Sequence, residues 1–136
     1  ADMDVFKLYI LDVGLLGAMG DLPSKSLLEK SKILTEFKGA LTEQFVHQQL
    51  VADKKILTYY WSAENGTAEI DFLVQHEDLI IPVEVKAEEN LQAKSLKIYV
   101  EKFSPEKSVR TSMSLYRKEN WLTNIPLYAV ELIGRI

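Results

Sequence analysis

The chain of 136 residues contains no cysteine and only two histidines, His47 and His76. The absence of cysteine excludes disulfide bonds, thiolate metal sites and a cysteine nucleophile. Two histidines also argue against a histidine-rich zinc site. Any metal bound by this chain is therefore expected to be a hard cation held by oxygen ligands.

The sequence also lacks a signal-peptide pattern, a lipidation motif and any apolar run of about 18 residues, the length that would span a membrane. We therefore expect a cytoplasmic protein with no membrane partner. A content of 47% hydrophobic and 26% charged residues is ordinary for one globular domain. The chain begins at Ala1 and soon enters a strand-like run, as expected of a piece cut from a longer protein.

Charge is distributed unevenly, although the net charge is only −4. Residues 1–90 carry 8 basic and 16 acidic side chains, whereas residues 91–120 carry 7 basic and 3 acidic ones. The overall acidity argues against non-specific binding of polyanions. The basic segment could hold a phosphate backbone, but the charges alone favour a solvated helix face followed by a strand.

Apolar periodicity and turn signals predict an α/β fold with ten helices and strands. In chain order they are a strand at 6–11, helices at 13–19, 24–30 and 35–52, strands at 57–61, 69–74 and 80–86, a helix at 92–103, and strands at 109–116 and 127–132. Asp12 and Gly20 should cap the first helix. We expect a single domain in which residues 1–34 form an entry strand and short helices. Residues 35–116 should form an α-β-β-β-α-β core with a mixed sheet flanked by helices: an antiparallel three-strand meander plus further strands.

The runs at 69–74 and 80–86 alternate with the period of two that is typical of strands. If they pair antiparallel about a loop at 76–78, the numbers of facing residues sum to about 155. One face of this hairpin is then entirely apolar. It consists of Ile70, Phe72 and Val74 opposite Val85, Val83 and Ile81.

The other face of the hairpin sets Asp71 opposite Glu84, and Glu69 opposite Lys86. Directly opposed like charges destabilise a sheet, so two carboxylates this close need a compensating positive charge. A divalent cation beside Lys86 would supply it. The alternative is a solvated face with a Glu69–Lys86 ion pair and two tolerated carboxylates.

The long predicted helix carries a carboxylate on an apolar stripe. Glu43 lies one turn before Val46 and two turns before Leu50, which should face the core. Glu43 either reaches water at the edge of the stripe or contributes to a site. His47, four residues on, could complete a two-residue metal site with Glu43, but an ion pair or hydrogen bond on the helix face is favoured.

Four segments together resemble the PD-(D/E)xK nucleases of the restriction-endonuclease-like superfamily. They are residues 6–16, residues 39–43 with Val46 and Leu50, residues 69–72, and residues 84–86. The closer resemblance is to the nuclease-like C-terminal domain, of unknown function, of bacterial and archaeal AAA-type ATPases. One position departs from the motif, because Ile70 stands where the superfamily motif has proline.

The resemblance implies a restriction-endonuclease-like fold and a role for five residues. Asp71 and Glu84 would be ligands of Mg²⁺ or Mn²⁺, joined by the backbone carbonyl of Val85. Lys86 would be the basic residue of the motif, and Glu43 the additional carboxylate that some members place on the helix. The implied activity is metal-dependent hydrolysis of a phosphodiester, as in the restriction-endonuclease-like enzymes.

The resemblance also implies partners. DNA is the expected substrate, and Lys94 and Lys97 would contact its phosphate backbone. The chain has no G-x-x-x-x-G-K-[ST] motif, so ATP would bind only to an ATPase domain elsewhere in the parent chain. Because a fold does not fix a function, the alternative is a catalytically silent module of that ATPase that binds DNA or protein.

Overall fold

A computed structural model describes residues 6–22, 32–53, 56–87 and 92–136 of the protein. Its elements, in chain order, are α1 Val13–Met19, α2 Lys32–Ala52, β1 Ile56–Ser62, β2 Glu69–His76, β3 Leu79–Val85, α3 Lys94–Phe103, β4 Val109–Ser112, β5 Arg117–Lys118, β6 Thr123–Pro126 and a C-terminal 3-10 helix Leu127–Arg135. The helix expected at 24–30 lies outside the described residues. Within these ranges no helix is both long and apolar enough to cross a bilayer.

The six strands form one mixed sheet in the order β1-β2-β3-β4-β6-β5. Strands β1, β2 and β3 are an antiparallel meander, β4 is parallel to both β3 and β6, and β5 is antiparallel to β6. Helix α3 forms the crossover that the parallel pairing of β3 and β4 requires. The predicted α/β class, with a mixed sheet flanked by helices, is confirmed.

The register of the β2–β3 hairpin also agrees with the sequence. Phe72 pairs with Val83 and Val74 with Ile81, so the numbers of facing residues sum to 155. The strands continue to the His76–Leu79 pair, which leaves a two-residue turn. Period-two patterning fixes the register here because all four apolar side chains enter one core.

The prediction that Ile70 shares a face with Phe72 and Val74 is wrong. Phe72 and Val74 pack in the larger core together with α2, whereas Ile70 packs with Leu96 and Tyr99 of α3. The pairing of β1 with β2 shifts by one residue between Tyr59 and Trp61, and this leaves one extra residue in β2. Such a β-bulge interrupts the alternation of faces, so the residues before and after it enter different cores.

The strand expected at 6–11 is also wrong, because this segment does not pair with the sheet. It lies along α2 instead. The side-chain amide of Gln44 accepts a hydrogen bond from the backbone N–H of Ile10 (3.0 Å) and donates one to its carbonyl (2.7 Å). A helix side chain thus satisfies the backbone groups that a neighbouring strand would otherwise bind.

The end of the chain differs from expectation as well. Strand β4 stops at Ser112 instead of 116, β6 was not predicted, and the strand expected at 127–132 is a 3-10 helix. Its larger core-facing residues, Leu127, Val130 and Ile133, recur every three positions, the period of a 3-10 helix. Ala129 and Ile136, which follows the helix, also pack against this core.

Candidate functional site

The extended segment before α1 brings a lysine to the carboxylate of α2. The Lys7 ammonium lies 3.2 Å from Glu43 Oε2 and 3.6 Å from Asp71 Oδ1. The hydroxyl of Tyr9 donates to the same Glu43 oxygen at 3.3 Å. Glu43 comes within reach because it lies one helical turn before Val46, which is fully buried. The Lys7 ammonium therefore contacts the carboxylates of both Glu43 and Asp71.

Asp71 joins the beginning of β2 to the end of β3. Its Oδ2 accepts a hydrogen bond of 2.7 Å from the backbone N–H of Val85, and its side chain is 17% exposed. Burial raises the pKa of Asp71 from 3.8 to about 7. The Val85 N–H lowers this pKa, the charges of Glu43 and Glu84 raise it, and Lys7 lowers it. Asp71 therefore lies within the electrostatic range of two other carboxylates.

Glu84, on the neighbouring strand, is buried and incompletely paired. Its Oε1 lies 2.7 Å from the ammonium of Lys86, whereas its buried Oε2 has no hydrogen-bond partner in the part of the chain that the structure describes. Lys86 therefore pairs with a carboxylate of its own strand and not with Glu69, which is exposed. A buried carboxylate oxygen without a donor is costly unless a cation or a water binds it.

Two residues of the site were not predicted from the sequence, Lys7 and Tyr9. They are two positions apart in an extended segment and therefore point to the same side. Phe6, which precedes them, and Leu8, which lies between them, are exposed. This alternation is the only local signal, and it runs against the usual pattern because the polar residues face inward. The Tyr9 ring stacks on His47 at 4.1 Å.

His47 therefore serves as an aromatic support beneath Tyr9. Burial lowers its pKa and so favours the neutral form of the ring. Among the described residues no group of three histidine or acidic side chains is placed to hold a metal ion together. The two-residue Glu43–His47 metal site considered from the sequence thus has no third ligand there.

The donor set nevertheless suits one kind of metal. Asp71 and Glu84 offer hard carboxylate oxygens, the ligands preferred by Mg²⁺, which commonly keeps several waters and takes only one or two carboxylates from a protein. The buried Oε2 of Glu84 is an acceptor that no described donor uses. Asp71 and Glu84 are therefore the residues that could hold a hydrated Mg²⁺ or Mn²⁺.

The basic segment at 91–120 divides into buried and exposed members. Arg110 is only 2% exposed; its guanidinium donates to Asn124 Oδ1 at 2.9 Å and pairs with Glu119 at 2.7 Å. Arg117 pairs with the same Glu119 oxygen. Arg110 therefore joins β4 to β6 and is too buried to contact phosphates, whereas the Arg117 side chain is 58% exposed.

Lys94 and Lys97 are the exposed members that were expected to contact a phosphate backbone. Lys94 begins α3, and the Lys97 side chain is 64% exposed and lies 3.9 Å from Glu101 on the same helix. An exposed pair at this spacing contributes little energy and leaves the ammonium available to solvent. Both lysines are therefore accessible on α3.

One family model matches the chain: a domain of unknown function, DUF4143, over residues 38–130. The matched range contains Glu43, Asp71, Glu84 and Lys86, whereas Lys7 lies before it. No curated protein and no solved structure matches the chain. Since the matched range is more than half of the sequence, the protein belongs to the DUF4143 family.

Proposed function

We propose that the protein is a restriction-endonuclease-like domain that hydrolyses phosphodiester bonds in DNA, using Mg²⁺ or Mn²⁺ held by Asp71 and Glu84. The observation that carries this proposal is the buried, unpartnered Oε2 of Glu84 on the strand next to Asp71. Carboxylates on neighbouring strands, one of them with an oxygen that no described donor binds, are suited to a hard cation. The order α2-β1-β2-β3-α3-β4 supports the fold assignment.

The residues of the site have distinct tasks in this proposal. A divalent cation bound there would stabilise charge on the phosphate and lower the pKa of a water molecule. The backbone N–H of Val85 fixes the Asp71 carboxylate, and Lys86 fixes the carboxylate of Glu84. The Lys86 ammonium can also donate to a phosphate oxygen on which negative charge develops. Glu43 is held toward Asp71 through Lys7.

The proposed substrate is DNA because Lys94 and Lys97 offer accessible ammonium groups on α3. Contacts of this kind follow the phosphate backbone and carry no sequence preference of their own. In this account the domain works in the cytoplasm beside an ATPase domain of the same chain. ATP would bind to that domain, in keeping with the absence of a Walker motif here.

A second candidate function is a catalytically silent module that binds DNA or protein. The observation that favours it is the position of Lys7, whose ammonium already supplies a positive charge to Glu43 and Asp71. If the Lys7 ammonium always stays in this position, the site needs no metal. The carboxylates then serve only to hold the segment before α1 on α2.

Cleavage assays with Mn²⁺ on plasmid, linear and branched DNA distinguish the two functions. We expect the wild-type protein to cleave at least one substrate and Asp71→Asn to cleave none. Asp78→Asn is the matched control, because Asp78 is exposed in the turn of the same hairpin. Equal activity of wild type and Asp71→Asn, or no activity from either with the ATPase part present, would favour the binding module.

A further inference from the structure

Lys7 occupies the position that a cation bound to Asp71 would need. Asp71 Oδ2 is engaged by the backbone N–H of Val85 at 2.7 Å, and Oδ1 faces the Lys7 ammonium at 3.6 Å. The same ammonium lies 3.2 Å from Glu43. A divalent cation on Oδ1 would stand within a few ångströms of a like charge, where repulsion is strong in a partly buried site.

The position of Lys7 depends on side-chain contacts with α2, since residues 6–11 do not pair with the sheet. Gln44 binds both backbone groups of Ile10. Gln48 accepts from the backbone N–H of Val13 at 2.9 Å and donates to the Asp12 carboxylate at 3.1 Å. We call residues 6–12 the N-terminal segment. It is attached by these hydrogen bonds and by the Tyr9 ring, which stacks on His47 of α2. None of these contacts is a backbone bond of the sheet, so the segment can detach without breaking the strand pairing.

We propose that Lys7 is the resident cation of this site, and that a divalent cation binds to Asp71 only when the Lys7 ammonium leaves Oδ1. This inference rests on the proposed metal site and names the residue that sets its affinity. Since the two cations exclude each other, the affinity for metal is linked to the docking of the N-terminal segment. By the reciprocity of linkage, metal binding weakens that docking by the same factor.

Calorimetric titration with Mn²⁺ tests the competition directly. Lys7→Met keeps the length of the side chain and removes its charge, so we expect it to bind Mn²⁺ at least about tenfold more tightly than wild type. Lys7→Arg restores the charge and should bind no more tightly than wild type. Lys118→Met is the control for loss of one positive charge, because Lys118 is exposed on β5 at the far edge of the sheet.

A second measurement uses the unmodified protein and does not depend on how a variant folds. The reactivity of the Lys7 amine toward acetic anhydride, read by peptide mass spectrometry, should rise on addition of Mn²⁺. The reactivity of Lys118 should not change. If Mn²⁺ binds while Lys7 stays as protected as before, the two cations do not compete.

The outcomes separate this inference from the proposed function. Tighter binding by Lys7→Met, with Lys118→Met equal to wild type, supports the competition. If wild type binds Mn²⁺ and Lys7→Met binds it with equal or lower affinity, the competition is overturned and the metal site is not. The absence of Mn²⁺ binding in every protein, Lys7→Met included, overturns both the competition and the metal-dependent function.

Discussion

Neutralising Asp71 should stabilise the protein at neutral and alkaline pH, although this residue is central to the site. Asp71→Asn keeps the shape of the side chain and an oxygen that can accept from the Val85 N–H. It removes a carboxylate that burial, Glu43 and Glu84 all make costly to ionise. The variant loses the contact with Lys7, so its gain is smaller than the full cost of that ionisation.

The magnitude follows from the pKa of Asp71, which rises from 3.8 to about 7 on folding. At about 1.4 kcal/mol for each tenfold change in proton affinity, this rise corresponds to an upper limit of about 4 kcal/mol. The folded wild-type protein binds more protons than the unfolded chain between these values, so its stability falls as pH rises through this range. The contribution of protonated Asp71 to the stability of the wild-type protein is complete below about pH 4 and is lost as pH passes through about 7.

Urea denaturation of both proteins in EDTA, at intervals from pH 4 to pH 8, measures this effect. The free energy of unfolding of Asp71→Asn minus that of wild type should increase with pH by up to about 4 kcal/mol and level off above pH 7. Titrations common to both proteins cancel in this difference. A difference that is independent of pH, or that falls as pH rises, would refute the reasoning about the buried carboxylates.

Three further perturbations test the core, the arginine pair and the DNA surface. Leu50→Ala removes a fully buried side chain of α2 and should lower the free energy of unfolding by about 2–5 kcal/mol in urea. Arg110→Met leaves the Glu119 carboxylate without its nearest buried donor and should cost about 1–3 kcal/mol by the same method. Replacing both Lys94 and Lys97 by glutamine should weaken DNA binding and reduce the slope of log K against log salt by about 2. An unchanged slope would show that these lysines do not contact phosphates.

The sequence predicts the β2–β3 hairpin well because its determinants are local. Strict alternation, a short polar turn and four apolar side chains leave one register in which Phe72 faces Val83. The prediction that Ile70 faces the same core as Phe72 failed because of the bulge. The bulge arises from the pairing of β2 with β1, and the sequence of β2 alone does not indicate it. The C-terminal strand failed for another reason: the run at 127–132 is rich in apolar residues, which suit a strand and a helix alike, and its spacing of three indicates the 3-10 helix that forms.

The sequence could predict those residues of the candidate site that lie on one hairpin or on the apolar stripe of one helix. Asp71 and Glu84 were named from their opposition across the hairpin, and Glu43 from its place beside Val46. Lys7 could not be found in this way, because its contacts with Glu43 and Asp71 join distant parts of the chain. They depend on how Gln44 holds the N-terminal segment, which is a property of the folded protein.

The central claim is that Asp71 and Glu84 together hold a divalent cation, and Mn²⁺ titration by calorimetry of wild type and Glu84→Gln tests it most directly. Glutamine preserves the size of the side chain while removing the charge and the unpartnered carboxylate oxygen. The account predicts that wild type binds one Mn²⁺ weakly and that Glu84→Gln binds it at least about tenfold more weakly. Equal affinity in the two proteins, or no heat of binding from wild type and none from Lys7→Met, would contradict the claim.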